Sequence, residues 1–363
     1  MHWGVAWMRA AVGLVALLAV GVALVSGGSR DDSIRYRYLP ETNVLRTVSV
    51  YGTERVVTVR SLGDPGLVNA QPRWLAAARP LGSGAPTWAR SMYGRSLLVM
   101  RALTNRRTGA VLAGARDGWA YVWPRDAGAV ALAFASAGYR AETRRIAGFL
   151  LGLDLDTAAR FQADGTPVDG RDAQGDATGW VSMAARAAGL PDRPASLPWR
   201  ERADYQEGDS GTYLGNAIAA GADLSLFATH RGLTREAGDP GSGFDSAAAW
   251  AVRPFPQSSF FPVVRRSLLQ LAAHSGRYGI VPSESWGGGD DPWTAPTAWT
   301  AWGLAALGER SAALRLMAAL RSTSTSTGML PERVDVHTGT PTSTTPLAWS
   351  HAFAILALRE LWP

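Results

Sequence analysis

A short aromatic and charged segment offers the first candidate chemistry in this sequence. The eight residues Trp-Ala-Tyr-Val-Trp-Pro-Arg-Asp end at Asp126 and precede an apolar helical pattern. Arg125 and Asp126 can form charged hydrogen bonds to the hydroxyls of a sugar, and Trp119, Tyr121 and Trp123 offer faces on which a sugar ring can stack. A proline and an acid are also typical of a helix start, so capping by Asp126 is the alternative interpretation.

A second candidate segment lies near the C-terminal end of the sequence. Glu332 follows Met-Leu-Pro in a loop, and its apolar neighbours favour partial desolvation, which suits a carboxyl group that exchanges protons with a substrate. His351 opens a later apolar helix in Leu-Ala-Trp-Ser-His-Ala. At that position we expect a packed, hydrogen-bonded histidine and not a catalytic one.

The elements that must position these residues are predicted to be helical. From residue 90 onward, apolar residues recur at i, i+3, i+4 and i+7 and are separated by loops that contain Gly or Pro. This periodicity predicts helices near 89–106, 126–139, 141–154, 175–189, 211–231, 244–252, 262–274, 295–307, 309–321 and 348–361. Ten helices without strand alternation favour an all-α toroid or irregular bundle over an α/β fold.

The N-terminal part of the chain is predicted to form two further units. Residues 1–32 contain Arg9 and then a 17-residue apolar run at 10–26, which indicates an export signal or a membrane anchor. No clear cleavage site follows, so we favour an uncleaved single-pass anchor with the body outside a bacterial cell, a secreted protein being the alternative. Residues 33–87 are expected to hold a β-hairpin, with strands at 47–51 and 55–59, and a linker.

Composition excludes several classes of protein. The chain has no Cys, so it can form neither a disulfide framework nor a thiolate metal site. Its net charge of +6 comes from Arg residues scattered among acids, which argues against a nucleic-acid partner. The 15 Trp are expected to serve mainly in packing, although some could stack on sugars.

Several segments, taken in order, resemble the glucoamylase-type glycoside hydrolases of family 15. The resemblance spans roughly residues 92–361. Besides the two candidate segments, it rests on Ser-Leu-Leu-Val at 96–99, Thr-Gly-Ala-Val-Leu-Ala at 108–113, Asp-Gly at 164–165, Gln-Gly-Asp-Ala at 174–177 and Gly-Gly-Asp-Asp-Pro-Trp at 288–293. Each piece alone is weakly specific, but their shared order makes the match strong.

The resemblance implies an (α/α)6 toroid over residues 88–363 and a particular reaction. Members of the family release glucose from the non-reducing end of an α-glucan or α-glucoside with inversion, and they need no metal or other cofactor. One carboxylic acid protonates the glycosidic oxygen while a second carboxylate activates water, the two lying roughly 6.5–9.5 Å apart. We expect a monomer that acts on carbohydrate.

The family's catalytic residues can be carried over to two positions. Glu332 matches the general base in the Leu-Pro-Glu motif, and Glu207, in Asp-Tyr-Gln-Glu at 204–207, is the best match to the general acid. The alternative for Glu207 is a solvated loop carboxylate near a helix start. Glu284 competes for the acid role, but its place in the family favours sugar contact or simple exposure. The resemblance also implies sugar contacts for Asp176, Trp286 and Trp349.

Four departures from the family pattern concern the pocket. Gln206 replaces a Trp before the acid, Gly208 replaces a Glu after it, and Trp119 stands where the family usually has a Tyr. The Arg that precedes the Gly-Gly segment is missing, since Ile-Val-Pro occupies 280–282. The separation of the two carboxylates along the chain is short for the family, and no large β-sandwich precedes the helices, so a trimmed barrel is compatible with the sequence.

Three functions are therefore open at this point. The first is a glycosidase that acts on an α-glucoside. The second is a non-catalytic sugar-binding or scaffold protein that kept the toroid and lost turnover, which the altered surroundings of Glu207 favour. The third is another helical-toroid enzyme, such as a trehalase-like glycosidase. Two carboxylates that face one pocket together with Arg125 and Asp126 would favour the first.

Overall fold

The computed structural model describes residues 73–115, 118–192 and 198–363, together with the backbone of two strands near the N-terminus. Those strands, β1 (Arg35–Leu39) and β2 (Val44–Val48), pair antiparallel. The helices of the described residues are α1 (Thr87–Leu103), α2 (Pro124–Ser136), α3 (Arg140–Leu151), α4 (Ala177–Ala188), α5 (Leu214–Ala219), α6 (Phe261–Ala273), α7 (Thr294–Ala306), α8 (Arg310–Ser322) and α9 (Ala348–Leu361). Short 3-10 helices cover Ser225–Phe227, Ser246–Ala251 and Ser258–Phe260.

Six elements form a closed inner ring. Around the ring α9 contacts α2, α2 contacts α4, α4 contacts α5, α5 contacts the 3-10 helix Ser246–Ala251, that helix contacts α7, and α7 contacts α9. Helices α1, α3, α6 and α8 pack outside these elements. A closed ring of inner elements with helices outside it is the architecture of a six-hairpin toroid, so the expected fold class is confirmed at this level.

The sequences of the helices explain which layer each one occupies. Helices α7 and α9 are apolar on all sides, and nearly every residue of each is buried. Helices α3 and α8 carry charged residues on one side and are buried on the other. Small residues let the inner helices approach closely: a Cβ atom on Gly179 of α4 would lie only 2.1 Å from the carbonyl oxygen of Ala219 in α5.

Aromatic side chains fill the centre of the ring. Trp180, Trp250, Trp299 and Phe353 are fully buried, and successive pairs meet edge to face with ring centroids 5.2–5.3 Å apart for Trp180–Trp250, Trp250–Trp299 and Trp299–Phe353. These four aromatic residues therefore serve packing, which is the role expected for most of the 15 Trp in the sequence. Trp250 and Trp299 also pack against Tyr205, and Trp299 packs against Trp349, and these two residues line the site described below.

The segment after α4 differs from its predicted structure. The predicted helix at 211–231 is wrong beyond Ala219, because the chain turns at Gly221, whose φ of +67° is a conformation that favours glycine. A second hairpin follows, with strand β3 (Thr234–Glu236) antiparallel to β4 (Asp239–Phe244). The predicted helix at 244–252 is a 3-10 helix over Ser246–Ala251.

The N-terminal predictions fall mostly outside the described residues. The apolar run at 10–26 lies there, and within the described part of the chain no helix has the length and apolar character needed to cross a bilayer. The first hairpin joins strands at 35–39 and 44–48, so it shares only Thr47 and Val48 with the predicted strands at 47–51 and 55–59. Residues 49–72 are not described.

Candidate active site

One pocket opens at the end of the ring where the inner helices begin. Its walls come from the loops that lead into α2, α5, α7 and α9, so those helices point their N-terminal ends towards it. The pocket encloses about 390 Å³ when the space at its open mouth is included. It is lined by Ala113, Trp119, Trp123, Arg125, Asp126, Tyr205, Gln206, Glu207, Trp293, Glu332, Leu347 and Trp349.

Arg125 and Asp126 lie in the first turn of α2 and form one wall. Proline at the start of the helix sets its first turn, and Trp123 occupies the N-cap position, so Asp126 is not the cap. The Arg125 guanidinium stacks 4.7 Å from the ring centre of Trp349 and donates to Asp176 at 3.1 Å. Arg125 also lies 3.4 Å from the Asp126 carboxylate, and both side chains are almost fully buried.

The carboxyl group of Asp126 has a strongly raised pKa. Burial raises its pKa to about 7, the nearby Arg125 opposes that rise, and the carboxylates of Asp176 and Glu332 add to it. Its Oδ1 atom makes no hydrogen bond within the described protein, although the residue is only 4% exposed. This atom lies 3.4 Å from Arg125 Nε, and the residue itself lines the pocket.

Glu332 lines the same pocket and is oriented by two side-chain donors. Trp119 Nε1 donates to Glu332 Oε1 at 3.1 Å, and the hydroxyl of Ser343 donates to Oε2. The Glu332 backbone is fixed as well, since its N–H bonds to the carbonyl of Thr344 at 2.9 Å and its carbonyl accepts from Thr294 at 2.9 Å. Two side-chain donors, one on each oxygen, therefore fix the orientation of this half-buried carboxyl group.

His351 fixes the loop that carries Glu332. Its Nε2 accepts from the backbone N–H of Leu330 at 3.0 Å, which leaves the proton on Nδ1 for the hydroxyl of Ser96 at 2.9 Å. Burial, and after it the charge of Arg95, lower the pKa of His351 to about 3, so the ring is neutral. His351 is therefore the packed, hydrogen-bonded residue that its position in the helix suggests.

Glu207 reaches the same pocket from a strained loop. Its backbone φ is +57°, which is uncommon for a residue other than glycine, and such conformations concentrate at functional sites. Trp123 Nε1 donates to Glu207 Oε1 at 2.7 Å, and Gln174 Nε2 donates to the same atom at 3.3 Å. The guanidinium of Arg171 forms an ion pair with Oε2. Three side chains therefore hold the carboxyl group of Glu207 in place.

A buried ionic network holds the Glu207 loop from behind. Arg235 on β3 donates to both oxygens of Asp204, at 2.7 and 3.0 Å, and to Asp245 at 2.9 Å. Asp245 also accepts from the hydroxyl of Tyr205 at 2.8 Å and from Gln206 Nε2 at 3.1 Å. Burial raises the pKa of Asp245 to about 6. The network therefore fixes three successive residues immediately before Glu207.

The pocket brings together most of the predicted site residues. Glu207, Glu332, Trp119, Trp123, Arg125, Asp126 and Trp349 line it, whereas Tyr121, Asp176, Glu284 and Trp286 do not. Asp176 lies behind Arg125 as its ion-pair partner, and Trp286 packs edge to face against Trp293 at 5.3 Å. Glu284 is exposed, and its carboxylate accepts from the backbone N–H of Phe244 at 3.0 Å.

Some residues of the site carry no sequence signal strong enough to single them out. Arg171 is a lone Arg between two Asp-containing turns, and Arg235 and Asp245 come from a hairpin that the helical pattern concealed. Trp293 could have been chosen, since it ends the Gly-Gly-Asp-Asp-Pro-Trp segment of the family resemblance. No group of three or more His, Asp or Glu within the described residues could hold a metal ion.

Comparisons with known proteins agree with this architecture. The model of the family "Glycosyl hydrolases family 15" matches residues 87–159. No match was found among curated protein sequences.

Two solved structures illustrate the likeness in fold. A glycosidase, 20% identical, superposes with a TM-score of 0.63 over 77% of this chain and 99% of its own. A bacterial glucoamylase complexed with acarbose, 16% identical, gives a TM-score of 0.65 over 81% of this chain and 58% of its own.

A third structure extends the likeness to a second glucoamylase. The glucoamylase from Saccharomycopsis fibuligera, 13% identical, gives a TM-score of 0.57 over 75% of this chain and 93% of its own. At these identities the structures establish a shared fold. The resemblance of this chain to the glucoamylase-type glycoside hydrolases of family 15 is thus confirmed, by the family model over residues 87–159 and by the helical fold.

Proposed function

We propose that this protein is an inverting glycoside hydrolase that releases glucose from the non-reducing end of an α-glucan or α-glucoside. One observation carries the proposal. Glu207 and Glu332, which come from loops 125 positions apart in the sequence, line the same pocket together with Arg125 and Asp126. Glycoside hydrolysis requires a pair of carboxyl groups, one as acid and one as base, and the walls of this pocket supply two.

Glu332 is the residue best suited to act as the general base. Its two donors, Trp119 and Ser343, fix its orientation, and a carboxylate held in this way can receive a proton from a water molecule. The water then attacks the anomeric carbon from the face opposite to the leaving group. Inverting enzymes need roughly 6.5–9.5 Å between the two carboxyl groups to accommodate that water.

Glu207 is the proposed general acid, which must deliver a proton to the glycosidic oxygen. The indole of Trp123 and the amide of Gln174 donate to the same oxygen, Oε1, and leave Oε2 facing Arg171. The proton would therefore reside on Oε2. This arrangement requires the guanidinium of Arg171 to withdraw before Glu207 can be protonated.

Arg125 and Asp126 are the proposed sugar-binding pair. The guanidinium can donate to a sugar hydroxyl and the Asp126 carboxylate can accept from one, so a vicinal pair of hydroxyls would satisfy both. The indoles of Trp293 and Trp349, whose N–H groups make no hydrogen bond within the described protein, add apolar faces and further donors.

A second function is favoured by the ion pair between Arg171 and Glu207. A non-catalytic carbohydrate-binding protein would keep the pocket and have no need of a protonated acid, and an ionised Glu207 fits that role. A hydrolysis assay separates the two functions, since only the glycoside hydrolase releases glucose from a sugar that it binds.

Hydrolysis assays with matched variants test the proposal. The purified protein is incubated with maltooligosaccharides, isomaltose, trehalose and aryl α-glucosides, and glucose release is measured for the wild type and for Glu332→Gln, Glu207→Gln and Glu309→Gln. Glu309 is paired with Arg265 on the outside of the ring and serves as the control. We expect the first two variants to lose activity and the third to keep it. Sugar binding without hydrolysis by the wild type would establish the non-catalytic function instead.

A further inference from the structure

Two arginines lie together on an arm beside the candidate acid. The arm covers residues 159–171 and folds back on itself, since Ala159 N–H bonds to the carbonyl of Arg171 at 3.2 Å and Val168 N–H bonds to that of Arg160 at 3.0 Å. Phe161 attaches it to the segment before α2 by paired backbone hydrogen bonds with Val122, at 2.8 and 2.9 Å. The arm thus holds both arginines against one side of the pocket mouth.

The two guanidinium groups reach the mouth in different ways. Arg171 pairs with Glu207, and its side chain is 40% exposed, so solvent and ligands can reach it. Arg160 lies over the rings of Tyr121 and Trp123, 4.8 and 5.7 Å from their centres. Burial, and then repulsion by Arg160, lower the pKa of Arg171, while attraction by Glu332 opposes the change. Arg171 therefore interacts electrostatically with both candidate catalytic residues, Glu207 and Glu332, and with the second cation, Arg160.

The position of Arg171 identifies the part of a substrate that it would meet. A general acid protonates the glycosidic oxygen, so the acid lies on the side of the leaving group. Because Arg171 contacts Glu207 directly, it lies on that side as well, whereas Arg125 and Asp126 are placed to hold the sugar that is released. Arg171 is thus at the leaving-group end of the pocket.

The pairing of Arg171 with Glu207 sets a chemical requirement. A guanidinium stabilises the carboxylate and opposes its protonation, yet the acid must carry a proton. A neutral alcohol as leaving group competes poorly for a guanidinium. A carboxylate or phosphate on the leaving group forms the paired hydrogen bonds that a guanidinium prefers, and it can draw Arg171 away from Glu207.

We propose that Arg171 and Arg160 form a subsite for a negatively charged leaving group, so that the preferred substrate is an α-glucoside whose aglycone carries a carboxylate or a phosphate. The inference rests on the proposed hydrolase function and specifies its substrate class. Arg171 is the specificity-determining residue, and Arg160 supports it with a second positive charge. Arg160 stacks on two aromatic rings and donates from Nη1 to the carbonyl of Gly118 at 3.5 Å, so its position beside Trp123 of the pocket is fixed.

The reaction with such a substrate balances without any further reactant. The anionic group pairs with Arg171, and Glu207 takes a proton from solvent. Glu207 then donates that proton to the glycosidic oxygen, and the bond between this oxygen and the anomeric carbon breaks with its electron pair on the oxygen. A water molecule attacks the carbon and gives one proton to Glu332. The products are β-glucose and the anionic alcohol, and both carboxyl groups return to their initial states by exchange with solvent.

Aryl α-glucosides that differ only in charge test the inference. The set comprises the 4-carboxyphenyl and 4-phosphonooxyphenyl α-glucosides, the neutral 4-carboxamidophenyl analogue and the phenyl parent, and kcat/KM is measured for each at low and high salt. We expect the wild type to prefer the anionic compounds over the carboxamide by roughly 10- to 100-fold at low salt. The preference should shrink at high salt, because ions screen exposed charges. The better of the two anions identifies the group that the subsite takes.

Three variants separate the proposal from a simpler role for Arg171. Arg171→Gln should abolish the preference for anionic substrates, Arg160→Gln should reduce it, and Arg265→Gln on the outer surface should leave it unchanged, with unfolding curves recorded to show that each variant folds. If Arg171→Gln accelerates neutral and anionic substrates equally, Arg171 is only an inhibitory contact and the inference is wrong. Equal hydrolysis of all compounds by the wild type would overturn the inference and leave the hydrolase function standing. Hydrolysis of none would overturn the hydrolase function and the inference with it.

Discussion

Replacing Asp126 by Asn should change how the stability of the protein depends on pH. Asp126 is 4% exposed, and burial raises its pKa from 3.8 to about 7. A carboxyl group whose pKa is raised on folding binds its proton more tightly in the folded state. Folding is therefore favoured at low pH, and this contribution is lost as the pH rises from about 4 through 7.

The size of the effect follows from the difference between the two pKa values. They differ by about three, and each unit corresponds to about 1.4 kcal/mol, so ionising Asp126 in the folded protein costs about 4 kcal/mol of stability above pH 7. Asn has the same shape and no charge to desolvate. Removing the partner of Arg125 adds an offset that is independent of pH, since Arg125 stays charged and keeps its ion pair with Asp176.

Urea unfolding of the wild type and of Asp126→Asn at several pH values between 4 and 8 measures this effect. Titration of every other group cancels in the difference between the two proteins, apart from small changes in neighbouring carboxylates. The stability of the variant relative to the wild type should rise with pH by about 4 kcal/mol over this range. A difference that stays constant with pH would show that Asp126 is not the strongly perturbed carboxyl that its burial implies.

Three further substitutions probe the elements that orient the pocket. Trp119→Phe removes a hydrogen bond to the Glu332 carboxylate and should lower kcat/KM by about 10-fold or more in a hydrolysis assay. The pKa of His351 is lowered to about 3, so the unfolded chain binds a proton that the folded protein does not, and stability falls as the pH drops below 6.5, by about 2 kcal/mol at pH 5. Urea unfolding of His351→Gln should lack this loss of stability. Arg235→Met leaves two buried aspartates without their cation and should reduce the free energy of unfolding by about 3–5 kcal/mol, whereas Arg265→Met should change it little.

The sequence predicted most of the helices because their patterns are local. The start of α2 follows from a proline and an acid placed before an apolar run, and α9 has the uninterrupted apolar pattern of a buried helix. The error at 211–231 has a physical reason. Ala and Leu continue after Ala219 and mimic helix periodicity, but the chain must turn at Gly221 to form the β3–β4 hairpin.

The candidate site could be predicted only in part for a related reason. Arg125, Asp126 and Glu332 lie in compact motifs that a sequence displays directly. The role of Arg235 depends on two aspartates on different loops, and that of Arg171 depends on how the 159–171 arm folds over the pocket. Such juxtapositions arise from tertiary packing and leave no spacing pattern in the chain.

The stereochemistry of the released sugar tests the central claim most directly. Proton NMR can follow the anomeric signals while the protein acts on an α-glucoside with a negatively charged aglycone, before the free sugar equilibrates. Inversion by Glu207 and Glu332 predicts β-glucose as the first product, and its absence with Glu332→Gln. α-Glucose as the first product, or full activity in the Glu332→Gln variant, would contradict the account.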